Sequence, residues 1–468
     1  MKVCILSEGC YPYITGGVST WIHQIISGMP DIEFKILSIM PSYKEQLQYK
    51  YSFPDNVSEV KTVFLDDYLK SNHSKFHKPI LFTDQEKENF IKLLRLDPCV
   101  DWKQVVRLIS IEKKIGNALD FLQSEFFWDT IVKYYSDKYN GEKFNTFFWT
   151  IRAMLLPFIT LLHHEAMDAD VFHAVSTGYA GILGLSFHET KQKPFLLTEH
   201  GIYAREREEE IIKAQWVTGV YKKLWIDFFY FLSIAAYKEA DLVISLFERN
   251  RDIQIEMGAP KELTRVIPNS VDLKRFSAAK EKHEGYNIGA ILRVVPIKDV
   301  MTLIRAFKVV KTEVHQAKLY IIGPEDEDPV YYRQCQNLIG MLKISEDVVF
   351  TGSVDVKQYL PKMDVLVLTS ISEGQPMVIL EGMASGIPIV ASDVGACREQ
   401  LQENRHEGPC GLVTRMASPN DTAAELIKLY RDPQLRENMG RNGRLRAERD
   451  FDKDEFLKTY KQIYMELG

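Results

Sequence analysis

The sequence predicts an α/β fold of two doubly wound, Rossmann-like domains in succession, the first carrying a helical insertion. Three observations lead there. Short apolar runs of strand length recur through both halves, separated by segments of helical periodicity. The 468 residues suffice for more than one core. Two such alternations are divided at Pro268-Asn-Ser-Val-Asp272 and the charged stretch 278–284.

In chain order, residues 3–7 read as a strand, 9–17 as a loop, and 18–29 as a helix with Val18, Trp21, Ile22, Ile25 and Ile26 on one face. Residues 34–40 are the next strand. Residues 66–165 then break the rhythm. They are rich in aromatics and charges, with helical periodicity near 90–96, 105–122 and 147–162, and read as an insertion. The alternation resumes with a strand at 170–175, a helix from Gly178, a strand at 195–198, a long helical region at 205–240 and a strand at 242–246. The second half offers strands at 288–292, 319–322, 348–350, 365–369 and 389–391, with helices between them. The expected domains are 1–275, with the insertion at about 66–165, then 283–448, then a helix over 449–468. In that helix Phe451, Phe456, Tyr460, Ile463, Tyr464 and Leu467 recur at helical spacing.

Bulk properties exclude some classes. A net charge of −6 does not describe a basic nucleic-acid binder, so no nucleic-acid partner is expected. The six cysteines, Cys4, Cys10, Cys99, Cys335, Cys397 and Cys410, form neither a Cys-x-x-Cys pair nor a zinc spacing. They are expected to be reduced, as in the cytosol. The first apolar run is too short for a signal peptide and is interrupted by Glu8. No apolar run approaches the ~20 residues that span a bilayer; the longest, at 153–162 and 228–237, read as core helices. A cytoplasmic location is the expectation.

The stretch Ser372-Glu-Gly-Gln-Pro-Met-Val-Ile-Leu-Glu-Gly-Met-Ala-Ser-Gly386 holds the strongest functional signal. Glu373 falls in the loop after a strand. Pro376 suits the first helical position, and the helix should stop at Gly386. Glu381 then lies about a turn and a half inside the helix. The free amides of that helix start attract phosphate, and carboxylates accept hydrogen bonds from sugar hydroxyls. The combination suits a nucleotide sugar. Spacing alone equally allows a cap-region charge and a solvated face.

Other residues at strand ends fit the same ligand. Arg293 ends a strand and Lys298 follows five residues later, a pair able to clamp a diphosphate or simply two surface charges. Gly16 and Gly17 lie where the first loop meets the first helix, where glycine lets a ligand approach the backbone or only serves the turn. His200 and His173 each follow or end a strand, a position open to substrate contact or to a structural role. No Asp-x-Asp motif stands at a strand end; Asp66-Asp67 and the acidic loop 325–328 read as solvated.

Gln375-Pro376-Met377, Gly386-Ile-Pro-Ile-Val-Ala-Ser392 and Glu373-x7-Glu381 resemble the donor-site signature of glycosyltransferase family 4. The string Thr198-Glu-His-Gly-Ile-Tyr-Ala-Arg-Glu-Arg207 and the helical insertion resemble the PelF-type group of Pel exopolysaccharide systems. The resemblance implies the GT-B architecture, two Rossmann-like domains facing a cleft, and a retaining, metal-independent hexosyltransferase without cofactor. It implies a UDP-sugar donor, with UDP-glucose first, and a growing exopolysaccharide or related glycan as acceptor. It further implies an association with an inner-membrane polysaccharide synthase or secretion complex. It gives catalytic roles to His200, Glu373, Arg293 and Lys298, and donor contacts to Gly16, Gly17, Gly323, Thr351, Gly352, Ser353, Gly374, Gln375, Pro376, Met377 and Glu381. Glu199, Arg205 and His173 are candidates for the acceptor side. Lys298 precedes Asp299, where the family pattern has glycine. Two rivals are a nucleotide-sugar epimerase of the same fold and a non-catalytic nucleotide-sugar-binding component of a secretion complex.

Overall fold

The computed structural model describes residues 1–43, 47–70, 80–276, 280–402 and 406–468. Parts of the predicted insertion (71–79) and of the charged boundary (277–279) lie outside the described residues. The chain divides into two units, Met1–Val266 with Thr459–Gly468, and Ile267–Lys458.

The first unit holds β1 (Lys2–Glu8), β2 (Glu33–Met40), β3 (Val57–Phe64), β4 (Val171–Ala174), β5 (Phe195–Glu199), β6 (Leu242–Ser245) and β7 (Thr264–Val266). They form a seven-stranded sheet in the order β3-β2-β1-β4-β5-β6-β7, parallel throughout. The second unit holds β8 (Tyr286–Ile291), β9 (Ala317–Ile322), β10 (Val348–Phe350), β11 (Val365–Leu368), β12 (Ile389–Ser392) and β13 (Gly411–Thr414). Its six-stranded parallel sheet has the order β10-β9-β8-β11-β12-β13. Each unit is thus a doubly wound Rossmann-like domain, as the sequence predicts. Strand order reverses between β1 and β4 and between β8 and β11. The carboxyl ends of strands at such reversals are where open α/β sheets bind ligands.

Central strands β4, β5, β6, β11 and β12 are buried at every position, which explains their continuous apolar runs. β3, β7 and β13 went unread. All three are edge strands, and β3 carries several exposed or half-buried residues. The region read as one helix over 205–240 is two helices, Tyr203–Lys213 and Val220–Glu239, parted at Gly219 with φ 59°.

The insertion contains helices Asp84–Leu94, Trp102–Val106, Ala118–Leu122, Glu125–Lys138 and Phe144–Leu162. Thr83 and Glu86 form a capping box at the first of them. Phe90, Phe121, Phe127 and Phe147 belong to the same apolar core as Leu6, Phe172 and Phe195 of the sheet. The insertion therefore extends the first core rather than forming one of its own. Phe144–Leu162 is, contrary to the sequence reading, long and apolar enough to cross a membrane. Counting uninterrupted apolar runs missed it because Asn145, Thr146, Thr150 and Arg152 punctuate it. One of its faces, from Phe147 through Ile151, Met154 and Phe158 to Leu162, is buried in the core.

The last helix, Lys453–Leu467, contributes fully buried Tyr460 and Tyr464 to the first unit. The Tyr464 hydroxyl lies 2.8 Å from His173 Nδ1, and Lys461 pairs with Asp31 at 2.5 Å.

Candidate functional site

At the reversal between β8 and β11 the second unit opens into a cavity of about 440 Å³. Arg293, Lys298, Gly323, Ser353, Glu373, Pro376, Met377 and Glu381 line it. Ile291, Ile322, Leu368 and Val378 supply apolar wall. A smaller cavity of about 170 Å³ lies at the opposite, amino ends of the strands, beside Asp364 and Pro388. Asp364 there is engaged by Lys280 at 3.0 Å and by the Asn287 amide at 2.9 Å.

Local structure explains how the larger cavity is shaped. Gly323 has φ 140°, and a Cβ on it would stand 2.1 Å from the Leu292 carbonyl oxygen. Only glycine lets the exit of β9 pass the exit of β8 so closely. Gly395 has φ 52°, and its Cβ would meet the Glu373 and Gly374 carbonyl oxygens at 2.1 and 2.3 Å. That close packing, with Ala396 N donating to Gly374 O at 2.9 Å, fixes the loop that presents Glu373. Lys298 closes a single 3-10 turn, Pro296–Lys298. Asp299, where a glycine was expected, takes the left-handed conformation (φ 45°, ψ 53°) and caps the next helix, Val300–Glu313, accepting from Thr302 N at 3.2 Å. A short polar side chain tolerates that conformation and adds a cap glycine lacks. Thr369 Oγ1 donates to the Lys298 and Asp299 carbonyls at 3.2 and 3.1 Å, tying this turn to the exit of β11.

The charges are arranged in pairs. Lys298 Nζ donates to Glu373 Oε1 at 2.5 Å, and Ser370 Oγ donates to the same oxygen at 2.5 Å. Both partners of that ion pair are largely buried. Arg293 meets Glu327 of the acidic loop at 2.8 Å, but this pair is solvent-exposed and worth little. Glu381 differs from all of these. Its carboxyl group makes no hydrogen bond or ion pair among the described residues. Burial pushes its pKa up to about 7, opposed by the charge of Arg275. The helix carrying it, Met377–Ala384, has no side-chain cap at its start. Among the described residues, the amides of Met377 and Val378 have no acceptor, so the first turn presents unpaired N–H groups.

Several predicted positions fall elsewhere. Pro376 is the cap residue (φ −71°, ψ 120°), not the first helical residue. Gly374, Gln375, Thr351 and Gly352 do not line the cavity. Gln375 is buried, and its Oε1 accepts from the Asn269 amide at 2.6 Å. Thr351 N donates to Ile321 O and Gly323 N to Gly352 O, both at 3.1 Å, so these residues bind β9 to β10.

In the first unit the predicted residues gather at the ends of β1, β4 and β5 but behave differently from one another. Gly16 and Gly17 are exposed, with nothing within 4 Å of where a Cβ would stand. His200 follows β5, edge-on to Trp21 at 4.8 Å, with its buried Nε2 unpartnered. Burial lowers its pKa to about 4, so the ring is neutral. Arg205 is exposed in the first turn of its helix.

Glu199 and His173, expected on the acceptor side, are engaged inside the first unit. Oε1 of Glu199 accepts from Thr177 Oγ1 and Tyr203 N, both at 3.0 Å, and its Oε2 accepts from Gln254 Nε2 at 2.9 Å and from the Tyr237 hydroxyl. Those four donors fill the acceptor capacity of a carboxylate. Burial pushes its pKa up to about 7. His173 is fully buried, its nitrogens 2.8 Å from the Tyr464 and Thr198 hydroxyls, and burial lowers its pKa to about 3.

Sequence reading also missed Glu8, noted only as an interruption. At the end of β1 it accepts from the Tyr179 and Ala180 amides at 3.0 and 3.4 Å and from the Tyr203 hydroxyl at 2.6 Å. It thereby fills the start of helix Gly178–Lys191, which would otherwise attract an anion. An acid closing the first strand of a doubly wound sheet was the available signal.

Residues 1–262 match the family model described as "Domain of unknown function (DUF3492)", and residues 273–446 match "Glycosyl transferases group 1". The chain is 29% identical over 290 residues to the MMP alpha-(1->4)-mannosyltransferase of Mycolicibacterium hassiacum, covering 60% of this chain and 66% of that protein. It is 30% identical over 224 residues to the N-acetyl-alpha-D-glucosaminyl L-malate synthase of Bacillus anthracis, covering 47% of this chain and 56% of that protein. The chain thus spans two thirds or less of the length of these relatives. Among solved structures, Anabaena HepE in complex with UDP-glucose superimposes with a TM-score of 0.59 at 16% identity, covering 100% of both chains, a likeness of fold.

Proposed function

We propose, from the premise that the chain belongs to the family described as Domain of unknown function (DUF3492) and carries a group 1 glycosyl transferase domain, that it is a retaining hexosyltransferase. In this reading it is a family 4, PelF-type enzyme that transfers glucose from UDP-glucose to a growing exopolysaccharide or related glycan. It works in the cytoplasm at an inner-membrane polysaccharide complex, without a metal. The observation that carries the reading is the sorting of polar groups in the cavity between β8 and β11. Cations and unpaired amides stand beside an unpartnered carboxyl, against an apolar wall.

Each group then has a task. Arg293, Lys298 and the amides of Met377 and Val378 hold the diphosphate. Glu381 accepts from the ribose hydroxyls, and Glu373 from the donor sugar. Ser370 keeps Glu373 in place when Lys298 turns to phosphate. As the glycosidic bond to the diphosphate breaks, negative charge grows on the leaving oxygen. Fixed cations that meet that charge lower the barrier. The leaving phosphate takes the acceptor hydroxyl proton while the hydroxyl attacks from the same face. His200 is the catalytic candidate of the first unit, neutral and with an unpartnered ring nitrogen. The UDP-glucose assignment leans on HepE, whose complex holds that donor.

The test is a thermal-shift series with UDP-, GDP- and ADP-glucose in the presence of EDTA, followed by product analysis with and without a glycan acceptor. A ligand that binds only the folded state raises Tm. UDP-glucose should raise it and the others should not. A shift with GDP- or ADP-glucose alone would reject the donor. Release of an isomerised sugar nucleotide without acceptor would reject transfer.

A further inference from the structure

The loop after β1 and the segment before β3 build a ladder of aromatic rings. Tyr13 and Tyr49 stack with centroids 5.4 Å apart at 26°. Phe53 meets Tyr49 edge-on at 5.0 Å, and Tyr51 lies 5.0 Å from Tyr11. The ladder is anchored at several points. Lys50 N donates to Pro12 O at 2.9 Å, the Tyr13 hydroxyl lies 2.5 Å from Thr62 Oγ1, and Ser7 Oγ donates to Tyr11 O at 2.8 Å.

Tyr11 and Tyr13 are buried and Tyr51 and Phe53 half-buried, but Tyr49 is 55% exposed. The ring is thus stacked on Tyr13 while more than half of the residue remains exposed. A tyrosine whose only role was packing would turn its ring inward. One exposed at random would not be backed by a buried ring or tethered through its neighbour's amide. Tyr13 belongs to the loop that leaves β1 and runs on to exposed Gly16 and Gly17, and its hydroxyl is tied to Thr62 near the carboxyl end of β3.

We propose that Tyr49, backed by Tyr13, is a stacking platform for a pyranose ring of the acceptor glycan. The C–H face of a hexose is apolar while its rim of hydroxyls stays hydrated, so it suits a rigid aromatic face with solvent at the edge. Because the ring is already ordered, little entropy is lost on binding. The proposal rests on the glycosyltransferase reading, but its test can fail separately.

The test is saturation-transfer NMR with maltotetraose, cellotetraose and chitotetraose on the full chain, with UDP affinity measured calorimetrically on the same samples. At least one tetrasaccharide should bind the wild type. Tyr49→Ala and Tyr49→Gln should weaken it about tenfold, and Tyr49→Phe, which keeps the ring, should stay within about twofold. UDP affinity should be unchanged in all of them, and an unchanged circular-dichroism melt verifies folding of the first unit; the glutamine variant serves if the alanine variant does not fold. Wild-type affinity for the sugar in Tyr49→Gln would overturn the platform. So would UDP binding with no tetrasaccharide binding at all, which would leave the donor site standing. Tyr49-dependent sugar binding without UDP binding would uphold the platform and sink the donor reading.

Discussion

At the strand-order reversal of the first sheet, the acids and His173 are engaged by the protein itself, and only the neighbouring His200 keeps an unpartnered buried nitrogen among the residues predicted there. Glu8 caps a helix, Glu199 accepts from four donors, and His173 is held between Tyr464 and Thr198. At the reversal of the second sheet, Glu381 has no partner, the first amides of its helix are unpaired, and the cavity is open. Both edges have the same topology and both carry carboxyl groups pushed up to about 7 by burial. What separates them is satisfaction. A buried carboxyl with its acceptor sites filled is a structural node. Glu381 is half-buried on the wall of an open cavity with no donor on its carboxyl group among the described residues, so its acceptor sites face the space a ligand would fill.

The largest expected effect is on the second edge. Lys298→Ala should lower the transfer rate with UDP-glucose by about 100-fold or more, since it removes a fixed charge facing the leaving group. An initial-rate assay that finds less than about tenfold loss would remove Lys298 from the reaction. Next, Glu199→Ala should lower Tm by about 3–8 °C, because Thr177, Tyr237 and Gln254 lose a buried acceptor. Calorimetric melting checks this, and an unchanged Tm would show the node to be dispensable.

Glu381→Gln should act in the opposite sense, and only at higher pH. The folded state holds the Glu381 proton up to about pH 7, while the unfolded chain releases it near the usual carboxylate value. The wild type therefore loses stability from this group as pH rises through that window, and has none of the penalty below it. Melting curves should show the variant about 2–5 °C more stable at pH 8 and equal to the wild type near pH 4. The same gain at both pH values would contradict a buried, unpaired carboxylate. The smallest effect is Tyr464→Phe. Losing one buried hydrogen bond to His173 should cost about 1 kcal/mol, or about 2–4 °C in Tm.

Much of the fold was legible because central parallel strands are buried on both faces and so stand out as apolar runs. The edge strand β3 was not, since its Ser58, Glu59 and Lys61 break the pattern. The cavity residues were legible because Arg293 and Lys298 follow β8, Glu373 follows β11, and Glu381 sits in the helix after β11. Glu199 and His173 occupy equally suggestive strand ends. The sequence offers no sign that Tyr237, Gln254 and Tyr464, the last 291 residues from His173, close over them. Position at a strand end is local information, whereas satisfaction of a polar group is tertiary. Gln375 teaches the same lesson inside the motif: its neighbours Pro376 and Met377 face the cavity, while its own amide group is spent on Asn269.

Titrating UDP calorimetrically into Glu381→Ala and Glu199→Ala side by side tests the contrast most directly. The account predicts that Glu381→Ala weakens UDP binding by about 10- to 100-fold, the loss of charge-assisted hydrogen bonds, while Glu199→Ala binds within about twofold of the wild type. Equal UDP affinity in Glu381→Ala and the wild type would contradict it.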